Sequence, residues 1–173
     1  MSIITLVEFK ANREVANTLQ EKKFNPLAED VELTQIQSRL GLEFYQDIIA
    51  NPTATANAAL LTGGSYTYQA KSYNSPGLKA VIIDFTYAIY KSLGDYTDTG
   101  FGTVVKTTQF GDRADRNERK DLRGHYEKIA ESKWQLVELF LNRNSAAYPL
   151  WGYNEIGNCT PSRGVNFGFS KIG

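Results

Sequence analysis

The residues best suited by type to do chemistry are Asp98, Thr99 and Gly100. An Asp-Thr-Gly triplet held in a tight loop can set a carboxylate against water, and two such carboxylates sharing a proton hydrolyse peptide bonds. Here Tyr96-Thr97 precede the triplet and Phe101 follows it, where that chemistry usually has apolar strands and a small residue. These neighbours favour a turn, in which Asp98 accepts from nearby backbone amides and Gly100 supplies a positive φ. Asp95 and Asp98 could approach a cation, but no spaced set of further acids completes a ligand shell. A small D-T-G protease is the enzyme alternative that the triplet leaves open.

Other candidates are weaker. The single histidine, His125, falls in a charged neighbourhood and reads as a solvated side chain rather than a general base. The single cysteine, Cys159, excludes an internal disulfide and a cysteine-based zinc cage within one chain. The G-x-S-x-G, P-loop and H-E-x-x-H patterns are absent, and Gly100-Phe101-Gly102 is a bare G-x-G. The run from Asp112 to Arg123 resembles a basic patch until its four acids are set against its five bases. Asp112/Arg116 and Asp115/Arg119 are four apart, the spacing of local helical ion pairs. Arg113, Arg116 and Arg119 therefore belong to a solvated helix start, meet acids of a neighbouring subunit, or face a channel. No cofactor and no metal is expected.

Several elements are needed to hold these residues. Thr5 with Glu8 forms a capping-box pattern that predicts a helix from about Leu6, and residues 11–25 read as a loose arm. Leu33, Ile36 and Leu40 recur at helical spacing before Gly41, a C-terminal cap. A short helix over residues 42–50 follows, broken by Asn51-Pro52-Thr53, and then an alanine-rich helix to Leu61. Tyr66, Tyr68 and Tyr73 suit a small hairpin. Ser75-Pro76-Gly77 opens a core helix in which Leu78, Val81, Ile82, Phe85, Ala88, Ile89 and Leu93 share one face, with Asp84 and Lys91 facing water. A loop over residues 94–102 leads into the strand Thr103-Val104-Val105-Lys106. A long helix over about 112–142 then carries an inner stripe of Leu122, Tyr126, Ile129, Leu136, Val137 and Phe140. Lys133 interrupts that stripe, and either snorkels or pairs with an acid across a subunit boundary.

The fold expected is mainly α: a bundle of about four or five helices with a small β-hairpin, a short strand and an extended C-terminal tail. Its parts are an N-terminal arm (1–27), a helical domain (28–151) and a tail (152–173). In the tail Val165, Phe167 and Phe169 alternate as a strand would, and with Ile172 they belong either to a docking arm that pairs with a neighbour's sheet edge or to a frayed tail. At 173 residues the chain is large enough to bury about 70% of its unfolded surface without staples. Lysine plus arginine equals aspartate plus glutamate at 19 each, which argues against a free-standing nucleic-acid binder. The start, MSIITLVEF, lacks a basic n-region, so no secretion signal is expected and the sequon Asn158-Cys159-Thr160 reads as idle. No stretch approaches the length of a membrane span.

Taken in order, Leu40-Gly41 with Phe44-Tyr45, Leu60-Leu61-x-Gly63-Gly64-x-Tyr66, Gly77-Leu78-Lys79, Thr97-x-Thr99-Gly100, the long charged helix and Asn144-x-x-x-Tyr148-Pro149 form a series. This series, over roughly residues 28–151, resembles the head–tail connector (adaptor, or neck ring) proteins of tailed bacteriophages, particularly those of crAss-like phages. The resemblance implies a subunit of a virion ring, commonly twelvefold. Such a ring would bind the portal protein, meet the next neck or tail protein and let packaged DNA pass without specific binding. It implies no catalytic residue. Another neck or tail-completion ring is the nearest alternative. The residues expected to make subunit or partner contacts are Tyr66, Tyr68, Tyr73, Phe101, Arg113, Arg116, Arg119, Lys133, Val165, Phe167, Phe169 and Ile172.

Overall fold

The computed structural model describes residues 2–93, 96–99, 102–105 and 116–152, with residues 96–99, 102–105 and Arg116 described by backbone alone. Thr5 accepts from the Glu8 amide at 3.2 Å while Glu8 Oε2 accepts from the Thr5 amide at 2.8 Å, so the capping box starts helix α1 (Leu6–Asn12) as predicted. Helix α2 occupies residues 21–40: α-helical over Glu21–Val31, π-helical over Glu32–Gln37 and α-helical again over Ser38–Leu40. Pro26 lies inside it, in the second turn, where the single carbonyl it leaves without a donor belongs to the exposed Lys22.

The expected loose arm is borne out only in part: residues 13–20 hold no helix or strand and none is buried, but α2 begins at Glu21 and carries Phe24 into the core. Ile4, Phe9 and Phe24 are buried, with the Phe9 and Phe24 rings 5.0 Å apart. Three large apolar side chains spread over twenty residues leave no periodic trace, yet each finds a place once the helices surround it. The α2 stripe is also corrected. The wide π turns bring Ile36 and Leu40 back into line with Ala28 and Val31, so Glu32 is buried and Leu33 is 57% exposed.

Gly41, at φ 87°, closes α2 and opens α3 (Leu42–Ala50). Helix α4 (Thr55–Thr62) ends on Gly63, and the antiparallel strands β1 (Gly64–Tyr68) and β2 (Lys71–Ser75) form the predicted hairpin. Tyr66 pairs with Tyr73 and Tyr68 with Lys71 across a turn in which Gln69 and Ala70 are both left-handed. At the root of the hairpin two glycine backbones touch. A Cβ on Gly63 would lie 2.5 Å from the Gly77 nitrogen, and one on Gly77 would lie 2.5 Å from the Gly63 nitrogen.

Helix α5 (Leu78–Leu93) follows and is the centre of the molecule: every residue from Val81 to Ala88 is buried. A fully buried leucine, isoleucine or phenylalanine contributes about 1.5–3 kcal/mol, so these two turns hold much of the hydrophobic stabilisation. Leu93 is half exposed and Asp84, expected to face water, is 1% exposed. The segment expected as a loop contains strand β3 (Tyr96–Thr99), paired antiparallel with β4 (Gly102–Val105), so Asp98 lies opposite Thr103 in a regular ladder rather than in a turn. The β-branched threonines at 97 and 99 suit that ladder.

Helix α6 (Arg116–Arg143) packs along α5, and a short 3₁₀ turn (Ser145–Ala147) leads to Tyr148 and Trp151. Its buried face is Ala130, Trp134, Val137, Phe140 and Leu141. Leu122 and Leu136, predicted to face inward, are 42% and 47% exposed. Helix α6 carries two apolar stripes, and Trp134, its bulkiest side chain, turns the other one inward. Among the described residues the architecture is six helices with two two-stranded sheets, which bears out the mainly α expectation. The proposed tail lies outside the described residues beyond Gly152.

Gly77→Ala should destabilise the chain by more than about 2 kcal/mol, because both its left-handed backbone and the contact with Gly63 forbid a Cβ. Gly124→Ala, in the middle of α6 with open space around its Cα, should instead stabilise it by about 0.5–1 kcal/mol. Urea unfolding of the two variants checks the opposite signs.

Candidate interaction surface

Three arginines, each lying over two aromatic rings, fasten outer segments to the α5/α6 pair. Arg13 follows α1, and its guanidinium lies 5.5 Å from the Tyr87 ring centre and 5.4 Å from that of Tyr126. Its Nε donates to Asp84 Oδ1 at 3.0 Å, and its Nη2 donates to the same oxygen. Lys133 Nζ lies 2.7 Å from the other carboxylate oxygen, Oδ2, as an ion pair without hydrogen-bond alignment. Lys133 therefore neither snorkels nor waits for another subunit; its acid is in its own chain. A small cleft of about 130 Å³ opens beside this cluster.

Arg39, near the end of α2, makes the second fastening. Its Nη1 and Nη2 reach the two oxygens of Glu131 at 3.0 and 2.9 Å, a bidentate pair, and its guanidinium lies between Phe85 and Trp134 at 5.3 and 5.4 Å. It lines an open cleft of about 490 Å³ between α2 and α6, floored by Phe85 and Ile89.

Arg143, the last residue of α6, makes the third. It lies 4.0 Å from the Tyr73 ring centre and 4.9 Å from that of Tyr68, and donates to the Tyr66 hydroxyl at 3.1 Å. Tyr66 stacks on Tyr73 at 5.7 Å and meets Phe140 edge-on at 5.0 Å. The tyrosines expected as contacts between subunits are thus half-buried against their own helix. Sequence reasoning missed Arg143, although an arginine at a helix C-terminus next to a tyrosine-rich hairpin is a recognisable pairing.

Glu32 is a second buried acid. Its carboxylate accepts from Ser2 Oγ at 2.5 Å, the Ile3 amide at 2.8 Å and the Tyr45 hydroxyl at 3.1 Å, tying the N-terminal residues to α2 and α3. Burial raises its pKa against the lowering effect of those donors, and burial next to Glu32 raises the Tyr45 hydroxyl in turn. Glu8 is the opposite case. Desolvation raises it, but Lys79 and the Thr5 donors outweigh that and hold it below the ordinary carboxylate range. Tyr148 donates to the Ala56 carbonyl at 2.7 Å, and burial pushes its hydroxyl up to about 12.

Of the remaining candidates, Arg119 is half-buried and has an interaction within the chain. Arg116 starts α6, with only its backbone described. Phe101, Arg113, Val165, Phe167, Phe169 and Ile172 lie outside the described residues. His125 is exposed, with its ring edge-on to Tyr126 at 5.2 Å. Among the described residues no group of three or more His, Cys, Asp or Glu side chains is placed to hold a metal ion. Among them, too, no helix is long and apolar enough to cross a membrane.

A family model described as a family of unknown function, DUF6712, matches residues 36–161. The chain belongs to the DUF6712 family. No curated protein and no solved structure matches it. Within this DUF6712 chain the matched span holds Arg39, the hairpin tyrosines, Asp84, Lys133 and Arg143, whereas Arg13 and Glu32 precede it. Two of the three arginine fastenings thus fall inside the family span, and the one that anchors the N-terminal segment falls before it.

Two outcomes follow from the buried acids. Asp84→Ala leaves Arg13 and Lys133 facing each other without their shared anion and should cost about 3–5 kcal/mol, while replacing all three by apolar residues of similar size should recover most of it. Urea titrations of the single and triple variants check this. Glu32 binds its proton more tightly folded than unfolded, so its contribution to stability falls as pH rises from the ordinary glutamate value of 4.5 through its raised folded value. Glu32→Gln should therefore lose less stability than the parent between pH 4.5 and 7, read as the difference in unfolding midpoint at each pH.

Proposed function

We propose that this chain is a structural virion subunit, part of a ring in the neck of a tailed phage that binds the portal and continues the DNA channel toward the tail. It acts through protein contacts and carries out no catalysis. The observation that carries this reading is the apolar outer surface. Leu33, Leu42, Leu122, Leu136 and Leu139 are 39–57% exposed on helices whose inner faces are already packed. Leu122, Leu136 and Leu139 fall along one face of α6, and apolar side chains aligned on an outer face favour contact with other proteins. Two of the motifs that resemble connector proteins, Leu60-Leu61-x-Gly63-Gly64-x-Tyr66 and Gly77-Leu78-Lys79, meet at one place, the root of the hairpin where Gly63 touches Gly77. Equal numbers of acids and bases suit a conduit wall, since tightly held phosphates would slow DNA.

The test is whether the polypeptide is present in purified, DNA-filled virions and where label on it sits. Density at the neck between head and tail is the expected result, and absence from virions overturns the proposal. Deleting residues 152–173 should give a folded chain that fails to enter the particle; normal incorporation would remove the tail from the assembly contacts.

A further inference from the structure

The β1/β2 hairpin leaves one strand edge open. Tyr68 and Lys71 flank its two-residue turn, and residues flanking such a turn exchange hydrogen bonds, as do Tyr66 and Tyr73 two positions further on. The backbone N–H and C=O groups of Ser65 and Thr67 therefore point away from β2. Both residues are exposed, and among the described residues the sheet has no third strand and no backbone group pairs with them. β2 is the strand that runs against α6, which leaves β1 on the outer side. An open edge is ordinarily guarded by a charge or a proline, and Gly64-Ser65-Tyr66-Thr67-Tyr68 contains neither.

The hairpin also specifies the kind of strand that fits it. Tyr66, Tyr68 and Tyr73 line the face turned toward α6, and Ser65, Thr67, Ser72 and Asn74 line the exposed one. An added strand must alternate in the same way, apolar on one side and small or polar on the other. Val165-Asn166-Phe167-Gly168-Phe169 has that alternation. It is also within reach. The Trp151 indole donates to Asn142 Oδ1 at 2.7 Å, so the chain leaves the described structure beside the last turn of α6, where Arg143 covers the hairpin rings. Residues 153–164 can span about 40 Å, and a five-residue strand covers only about 17 Å. Such a tether holds the segment near the edge at an effective concentration on the order of millimolar, which favours it over a free partner.

We propose that residues 165–169 add to the outer edge of β1 of their own chain, as the third strand of that sheet. Val165, Phe167 and Phe169 lie on the tyrosine side, and Asn166 and Gly168 on the Ser65/Thr67 side. Main-chain hydrogen bonds to Ser65 and Thr67 supply the attachment, and the alternation fixes which face the segment presents. The segment thereby closes an edge at which two copies could otherwise pair β1 to β1. The addition lies within one copy and does not depend on the virion reading.

Amide hydrogen exchange, read by NMR on the full chain, tests this. The Ser65 and Thr67 amides should exchange about tenfold more slowly than in a Phe167→Ser/Phe169→Ser variant, and dilution should leave that protection unchanged. Asn166→Ser, on the other face, should retain it. The α5 amides should exchange equally slowly in all three chains. Open-edge rates for Ser65 and Thr67 in the parent chain would overturn the proposal. So would protection that survives the double substitution, or protection that fades on dilution and thereby assigns the edge to a second copy. The measurement needs no phage particle, so its failure is separable from absence of the polypeptide from virions.

Discussion

A carboxylate sits in the middle of a helix that is buried on every side. Asp84 occupies the central turn of α5, and leaving its charge unpaired there would cost several kcal/mol. Two cations must therefore be brought in from elsewhere. Arg13 comes from the N-terminal segment and Lys133 from α6, so one acid determines how three parts of the chain meet. The N-terminal segment, with little helical pattern of its own, gains a fixed path from this contact and from the Phe9–Phe24 packing. The hydrophobic contacts around α5 supply most of the stabilisation, while the ion cluster fixes register among its neighbours.

Arg39 and Arg143 repeat the theme with different anions or none. A guanidinium is planar, weakly hydrated and able to lie against aromatic faces while donating in its own plane, which lysine cannot reproduce. Arg39 combines Phe85, Trp134 and a bidentate Glu131; Arg143 combines two tyrosine rings and a tyrosine hydroxyl. The three fastenings hold the N-terminal segment, α2 and the β1/β2 hairpin to the same helical pair. Side chains that looked available for contact, the hairpin tyrosines above all, are engaged within the chain. Among the described residues, the outward leucines of α2, α3 and α6 remain as the surface that packing leaves uncovered.

Local signals in the sequence were dependable wherever structure is decided locally. The Thr5–Glu8 capping box, the Gly41 cap, the break at Asn51-Pro52-Thr53 and the tyrosine hairpin are each decided by a few adjacent residues, and all were legible. Whatever depended on distant partners was not. Asp84 looked water-facing because nothing near it in sequence announces Arg13 or Lys133. The π turns of α2 displaced Leu33 by altering the period on which the reading relied. On α6 two apolar stripes compete, and periodicity cannot say which faces inward. At Tyr96–Thr99 the turn signals of Asp98 and Gly100 mask a strand that the flanking threonines favour.

The contact between Gly63 and Gly77 has a mechanical meaning. With two backbones in van der Waals contact at its root and Arg143 clamped over its rings, the β1/β2 hairpin has no hinge at either place. A push on its tip is carried straight into the start of α5 and the end of α6, at the same end of the helical pair. The projecting ribbon therefore behaves as a rigid strut rather than a flap, so whatever it abuts senses the orientation of the whole subunit.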